Sequence, residues 1–116
     1  MKVLMHELGI ARNIVAIVDE AAKGRRVVCV TLEIGALAGV MREAIAFCFD
    51  AVAAGTAAEG AKLDIVVVEG RARCQACGSE FATETLFAAC ACGSHHLTRL
   101  RGEELNVKSM ELMEAA

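Results

Sequence analysis

The chain contains no proline, no tryptophan and no tyrosine, so phenylalanine is its only aromatic residue. Few aromatics means no platform on which single-stranded nucleic acid would stack. Basic runs are missing too, apart from the short pair Arg25-Arg26, and the formal net charge is −3. That balance offers no field for a phosphate backbone. The first residues lack the apolar core of a signal peptide, and no apolar run reaches bilayer-spanning length. A cytoplasmic chain is therefore expected. In a reducing compartment, its six cysteines read as metal ligands plus buried thiols. A length of 116 residues supports one main core with a small satellite. Hydrophobic residues make up 56% of the chain, enough for a packed globule, although much of that share is alanine. Alanine adds helix propensity more than core volume.

What is present centres on Cys74-Gln75-Ala76-Cys77 and Cys90-Ala91-Cys92. Each close pair lets one turn of backbone aim two sulfurs at one point, and two facing turns make a tetrahedral thiolate cage. Zinc suits such a cage because it is borderline-soft, redox-inert and content with four ligands. Gly78 and Gly93 follow the two pairs, where the chain must turn sharply so that N–H groups point at sulfur. His95 and His96 come next and offer an alternative fourth ligand. A pair of disulfides or a redox dithiol are the rival readings, and neither explains two pairs plus two glycines as well.

Along the chain, Met1 to Glu7 reads as a brief strand or extended lead-in. From Leu8 the pattern is helical: Leu8, Ala11, Val15, Val18 and Ala22 recur at three- and four-residue steps, with Ile14 widening the stripe. Gly24 stops this helix, with Lys23 in its last turn. Val27 to Gly35 predicts a strand with Val28, Val30, Leu32 and Ile34 on one side. Arg42 to about Ala54 predicts a second helix, with Ile45, Cys48, Phe49 and Val52 inward. Cys29 and Cys48 have no partner at ligand spacing and read as small buried hydrophobes. Leu63 to Glu69 is a second strand, with Leu63, Ile65 and Val67 together. Gly70 to Arg101 breaks the composition and holds too little apolar bulk for a core, so metal must staple it. After Gly102 a last strand starts with Leu105 and Val107, then changes phase at Met110 and Leu112, which predicts a bulge near Ser109. The expected fold is α/β (α+β): two helices on a three-stranded sheet, with an inserted zinc-ribbon-like domain. Residues 1–70 and 102–116 form the main domain, and 71–101 the zinc domain.

The order of features is familiar. Met5-His6-Glu7 leads into a helix, followed by Leu32-Glu33-Ile34-Gly35, Phe47-Cys48-Phe49-Asp50 and Glu59-Gly60-Ala61-Lys62-Leu63. The cysteine pairs, Cys92-Gly93-Ser94 and Gly102-Glu103-Glu104-Leu105 complete it. Over nearly its whole length the chain resembles the HypA/HybF family of nickel chaperones, which help install nickel in [NiFe]-hydrogenase. The resemblance implies transferable Ni(II) at the chain start, bound by His6 and nearby backbone nitrogens, with Glu7 beside it. A carboxylate at Glu7 serves equally to favour a helix dipole. The resemblance also implies structural Zn(II) at Cys74, Cys77, Cys90 and Cys92. Implied partners are a HypB-type GTPase and the hydrogenase large-subunit precursor, and some members serve urease. The protein is expected as a monomer or homodimer.

Met1-Lys2-Val3-Leu4 precede the Met-His-Glu with which the family usually begins. They move the terminal amine away from His6, so either translation starts at Met5 or amide nitrogens take the amine's place. The expected function is nickel delivery without catalysis. The alternative is a zinc-ribbon interaction module with an inert chain start. A zinc hydrolase is disfavoured because four thiolates leave no position for water.

Overall fold

The structure, a computed structural model, describes residues 2–85 and 87–114, with side chains from His6 onward. The terminal amine of Met1 lies outside the described residues. Two helices and six strands follow in the order α1 (Lys2–Ala22), β1 (Val27–Gly35), α2 (Arg42–Ala53), β2 (Lys62–Val68), β3 (Arg71–Cys74), β4 (Glu80–Ala82), β5 (Leu97–Arg101) and β6 (Leu105–Leu112). The first sheet has the order β2-β1-β6 and the second the order β4-β3-β5. Two helices, a three-stranded sheet and an inserted ribbon are therefore present, as the sequence leads one to expect.

One compact unit takes the chain up to Leu32, Val40–Ile65 and the stretch from Asn106. Its core is built from α1 and α2, which pack on one another, together with inward residues of β1. Ala11, Ile14, Val15, Val18 and Ala22 of α1 are buried, as are Ile45, Cys48, Phe49 and Ala53 of α2. These are the three- and four-residue steps read from the sequence, with Ala53 more enclosed than Val52. At its other end, the chain is held by Met113 N–H donating to Arg26 O at 2.8 Å.

The start of α1 corrects the sequence reading. Met1 to Glu7 was expected to be extended, but the helix runs from Lys2, so His6 and Glu7 lie in its second turn. No acidic residue marks the first turn and no capping signal precedes it, which is why the apolar pattern from Leu8 set the expected start too late. Lys23 lies beyond the last turn in a left-handed conformation, with φ +51°.

The strands keep their predicted bounds to within a residue or so but slip in phase. Val30, Leu32 and Ile34 are buried as expected, yet Val28 is 43% exposed and Val27 is buried in its place. Val67 is likewise exposed, while Val68 is half-buried. In β6 the half-buried positions move from Val107 to Met110 and Leu112 within one continuous strand.

The other compact unit comprises Glu33–Gly39 and Val66–Leu105. Its strands β3, β4 and β5 were not foreseen, because Arg71–Cys74 and Leu97–Arg101 carry little apolar alternation. Backbone pairing makes them: Arg73 lies opposite Glu80 on one side and Thr98 on the other. The Arg73–Glu80 ion pair, at 3.0 Å, is exposed and adds little.

Three glycines fasten this unit where the chain enters and leaves the ribbon. A methyl placed on Gly35 would overlap the carbonyl of Gly102, and one on Gly70 would overlap the carbonyl of Thr83. One on Gly102, whose φ is +114°, would come within 2.6 Å of the Gly70 Cα. Leu37, buried beside all this, donates its N–H to Gly102 O at 2.6 Å, and Gly35 N–H reaches Glu104 O at 2.7 Å.

Candidate metal centre

Two similar turns present the four thiols. After Cys74, the chain reverses so that Gly78 N–H donates to Cys74 O at 2.9 Å; after Cys90, Gly93 N–H donates to Cys90 O at 2.8 Å. Gly78 and Gly93 take φ values of +80° and +94°, the left-handed conformation that glycine adopts without a Cβ penalty. Gln75 N–H to His96 O, at 2.8 Å, ties the first turn to the strand leading out of the second.

The four ligand atoms of Cys74, Cys77, Cys90 and Cys92 lie within 4.8 Å of one another. Cys74 Sγ stands 3.7 Å from Cys92 Sγ, and Cys77 Sγ stands 3.5 Å from Cys90 Sγ. Zinc–sulfur bonds of about 2.3 Å at tetrahedral angles place sulfurs roughly 3.8 Å apart, which is close to the spacing of these two pairs. A disulfide needs about 2.05 Å, and all six cysteines are free, which removes the disulfide reading. Cys74 and Cys90 are buried; Cys77 and Cys92 sit at the rim. His95 and His96 are exposed and stand outside this group.

The thiols differ in acidity. The Ser79 backbone N–H, and then its hydroxyl, draw Cys77 down to about 6, with Cys90 and Cys74 assisting. The Cys77 N–H lowers Cys74 against the cost of its burial. Cys90 accepts from the Cys92 N–H, but burial and the three surrounding thiols outweigh that bond and push it up to about 12. These differences belong to the folded ribbon. Once metal is removed and the ribbon unfolds, iodoacetamide labelling read by mass spectrometry should modify Cys77 and Cys90 at similar rates. A persistent preference for Cys77 would show that the ribbon keeps its turns without metal.

The chain start is a second, chemically different place. His6 is exposed on α1. Glu7, its neighbour, is fully buried. Its Oε2 accepts the backbone N–H of Met41 at 2.8 Å, and its Oε1 is enclosed with no partner among the described residues. Sequence reasoning missed this link, and no local signal announces it, since the partners are 34 residues apart. Within α1 the N–H groups of residues 2–4 precede the i→i−4 ladder.

The remaining cysteines separate. Cys48 is buried in α2 as expected. Cys29 is only half-buried: it lines a cavity of about 380 Å³ with Asp64, Lys62 and Glu111. Its Sγ donates to Asp64 Oδ2 at 3.5 Å. Burial first, then Asp64, raises its pKa, which disfavours the thiolate that reaction or ligation requires.

A family described as "Hydrogenase/urease nickel incorporation, metallochaperone, hypA" matches residues 5–112. A hydrogenase maturation factor HypA from Trichormus variabilis is 53% identical over 110 residues, covering 95% of this chain and 97% of its own. One of the same name from Geobacter sulfurreducens is 49% identical, covering 93% and 99%. The solution structure of the Ni metallochaperone HypA from Helicobacter pylori superposes with a TM-score of 0.67 at 21% identity, covering 94% of this chain and 98% of its own.

Proposed function

The chain belongs to the HypA family, and from that premise we propose that it is a nickel metallochaperone of [NiFe]-hydrogenase maturation, working in the cytoplasm. Nickel is its cargo, taken at the start of α1, and a resident zinc ion belongs to the four-cysteine cage. The observation that carries this reading is the contrast between the two places within one family match, residues 5–112. One is a closed set of four sulfurs. The other is an exposed imidazole beside helix-end nitrogens.

That contrast suits two different duties. Four thiolates bind zinc almost permanently and supply the folding energy that the ribbon lacks. Imidazole with amide nitrogens favours Ni(II) in a tetragonal arrangement, and exposure leaves the ion exchangeable. His6 supplies the ring. The N–H groups of residues 2–4 supply nearby nitrogens. A HypB-type GTPase and the hydrogenase large-subunit precursor are the partners that delivery calls for. A zinc-ribbon module without cargo would explain the cage but gives His6 no task.

His6→Ala decides between them. Calorimetry on zinc-loaded protein should show stoichiometric nickel binding abolished, with zinc content and helical circular dichroism unchanged. Wild-type nickel affinity in that variant would refute the assignment of His6.

A further inference from the structure

Helix α2 begins without a cap of its own. Its N-cap residue is Met41, at φ −89° and ψ 114°, and no side-chain capping bond comes from it. The side chain has no oxygen to offer. In a capping box, the glutamate three residues into the helix reaches back to the N-cap N–H. That position here is Ala44, which cannot do so. The bond is nevertheless made, by Glu7 of α1, whose Oε2 takes the Met41 N–H at 2.8 Å.

This placement accounts for a fully buried carboxylate with one oxygen unpartnered. It sits at the positive end of the α2 dipole, where negative charge is favoured. It also has a consequence for the neighbouring residue. Successive residues on a helix point about 100° apart, so drawing Glu7 inward onto Met41 turns His6 outward. Glu7 is buried and His6 exposed accordingly.

We propose that Glu7 is the positioning residue of the nickel end: its carboxylate caps α2 and thereby locks the rotation of α1 that presents His6. The inference rests on the reading of His6 as nickel ligand. Glu7 acts through His6, and its carboxylate is occupied by the Met41 N–H rather than by the metal.

The test uses the full, zinc-loaded chain carrying Glu7→Gln or Glu7→Ala. Glutamine keeps an oxygen for the Met41 N–H; alanine does not. Glu7→Gln should hold nickel affinity within about three-fold and leave the visible absorption of bound Ni(II) unchanged, whereas Glu7→Ala should weaken binding by about ten-fold, the scale of a lost cap. In metal-free nuclear magnetic resonance spectra, the Met41 amide should keep its shift and exchange protection in the Gln variant and lose both in the Ala variant. Two outcomes overturn the proposal. One is nickel loss in Glu7→Gln equal to that in Glu7→Ala, which would make the carboxylate a ligand. The other is unchanged nickel binding in Glu7→Ala, which would make the cap merely structural. Should Glu7→Ala fail to fold, a fall in nickel affinity well beyond about three-fold in Glu7→Gln, with the Met41 amide unchanged, overturns the proposal on its own. His6→Ala run in parallel separates the failures: if it retains nickel, the nickel reading falls, while the Met41 amide still judges the clasp.

Discussion

Replacing Cys74 and Cys77 together with serine should strip zinc from the protein and unfold the ribbon while the helical signal of α1 and α2 survives. The magnitudes decide this outcome. Structural zinc contributes on the order of 10–16 kcal/mol to small metal-folded units, comparable with the whole stability of a typical domain. The ribbon strands offer little to replace it: of Arg71–Cys74, Glu80–Ala82 and Leu97–Arg101, only Ala72 and Cys74 are buried. The buried residues of α1 and α2 pack on one another. Metal analysis and far-ultraviolet circular dichroism together provide the check. Retention of one zinc per chain would sink the four-thiolate cage, and a need to change His95 or His96 as well would point to a mixed one.

Gly35→Ala should also be strongly destabilising, although it adds a single methyl group. The obstacle at Gly35 is the backbone of Gly102 and Glu103, not the end of a flexible side chain that could swing aside. A loss on the order of 4 kcal/mol is expected, at the upper end for point substitutions. Urea titration should show it as a large fall in midpoint. Gly9→Ala is the matched control. Gly9 lies inside α1 with open space around its Cα, so the same methyl should stabilise by about 0.5–1 kcal/mol through helix propensity. Similar effects at the two positions would show that the glycine junction is looser than its contacts indicate.

The contrast between those glycines also marks where the sequence was legible. Local patterns carried far: Cys74 to Cys77 and Cys90 to Cys92 announce a cage because ligand spacing is a property of one turn. Ala11, Val15 and Val18 announce a buried helix face for the same reason. What stayed hidden depends on partners distant in the chain. Nothing around Glu7 says that its oxygen belongs to Met41, and nothing around Gly35 says that Gly102 will cross it. Val28 and Val67 were placed on the inner faces because strict alternation was assumed, whereas each strand slips phase once. Arg71–Cys74 and Leu97–Arg101 are held mainly by backbone pairing, and the only buried side chains they offer are the small Ala72 and Cys74, too little apolar pattern to read as strands.

The crossing of Gly35, Gly70 and Gly102 bears on the order of folding. Strand β6 must find β1 after the chain has wandered through residues 69–104, and closing a loop of that length carries an entropic barrier that grows with its logarithm. A ribbon already gathered by metal brings Gly70 and Gly102 together, leaving only a short tether between β2 and β6. The search for β1 then shortens, by roughly ten-fold in rate on that scaling. Zinc would thus hasten the pairing of a sheet that supplies none of its ligands, and the cage would serve as a kinetic guide before the protein has any nickel to carry.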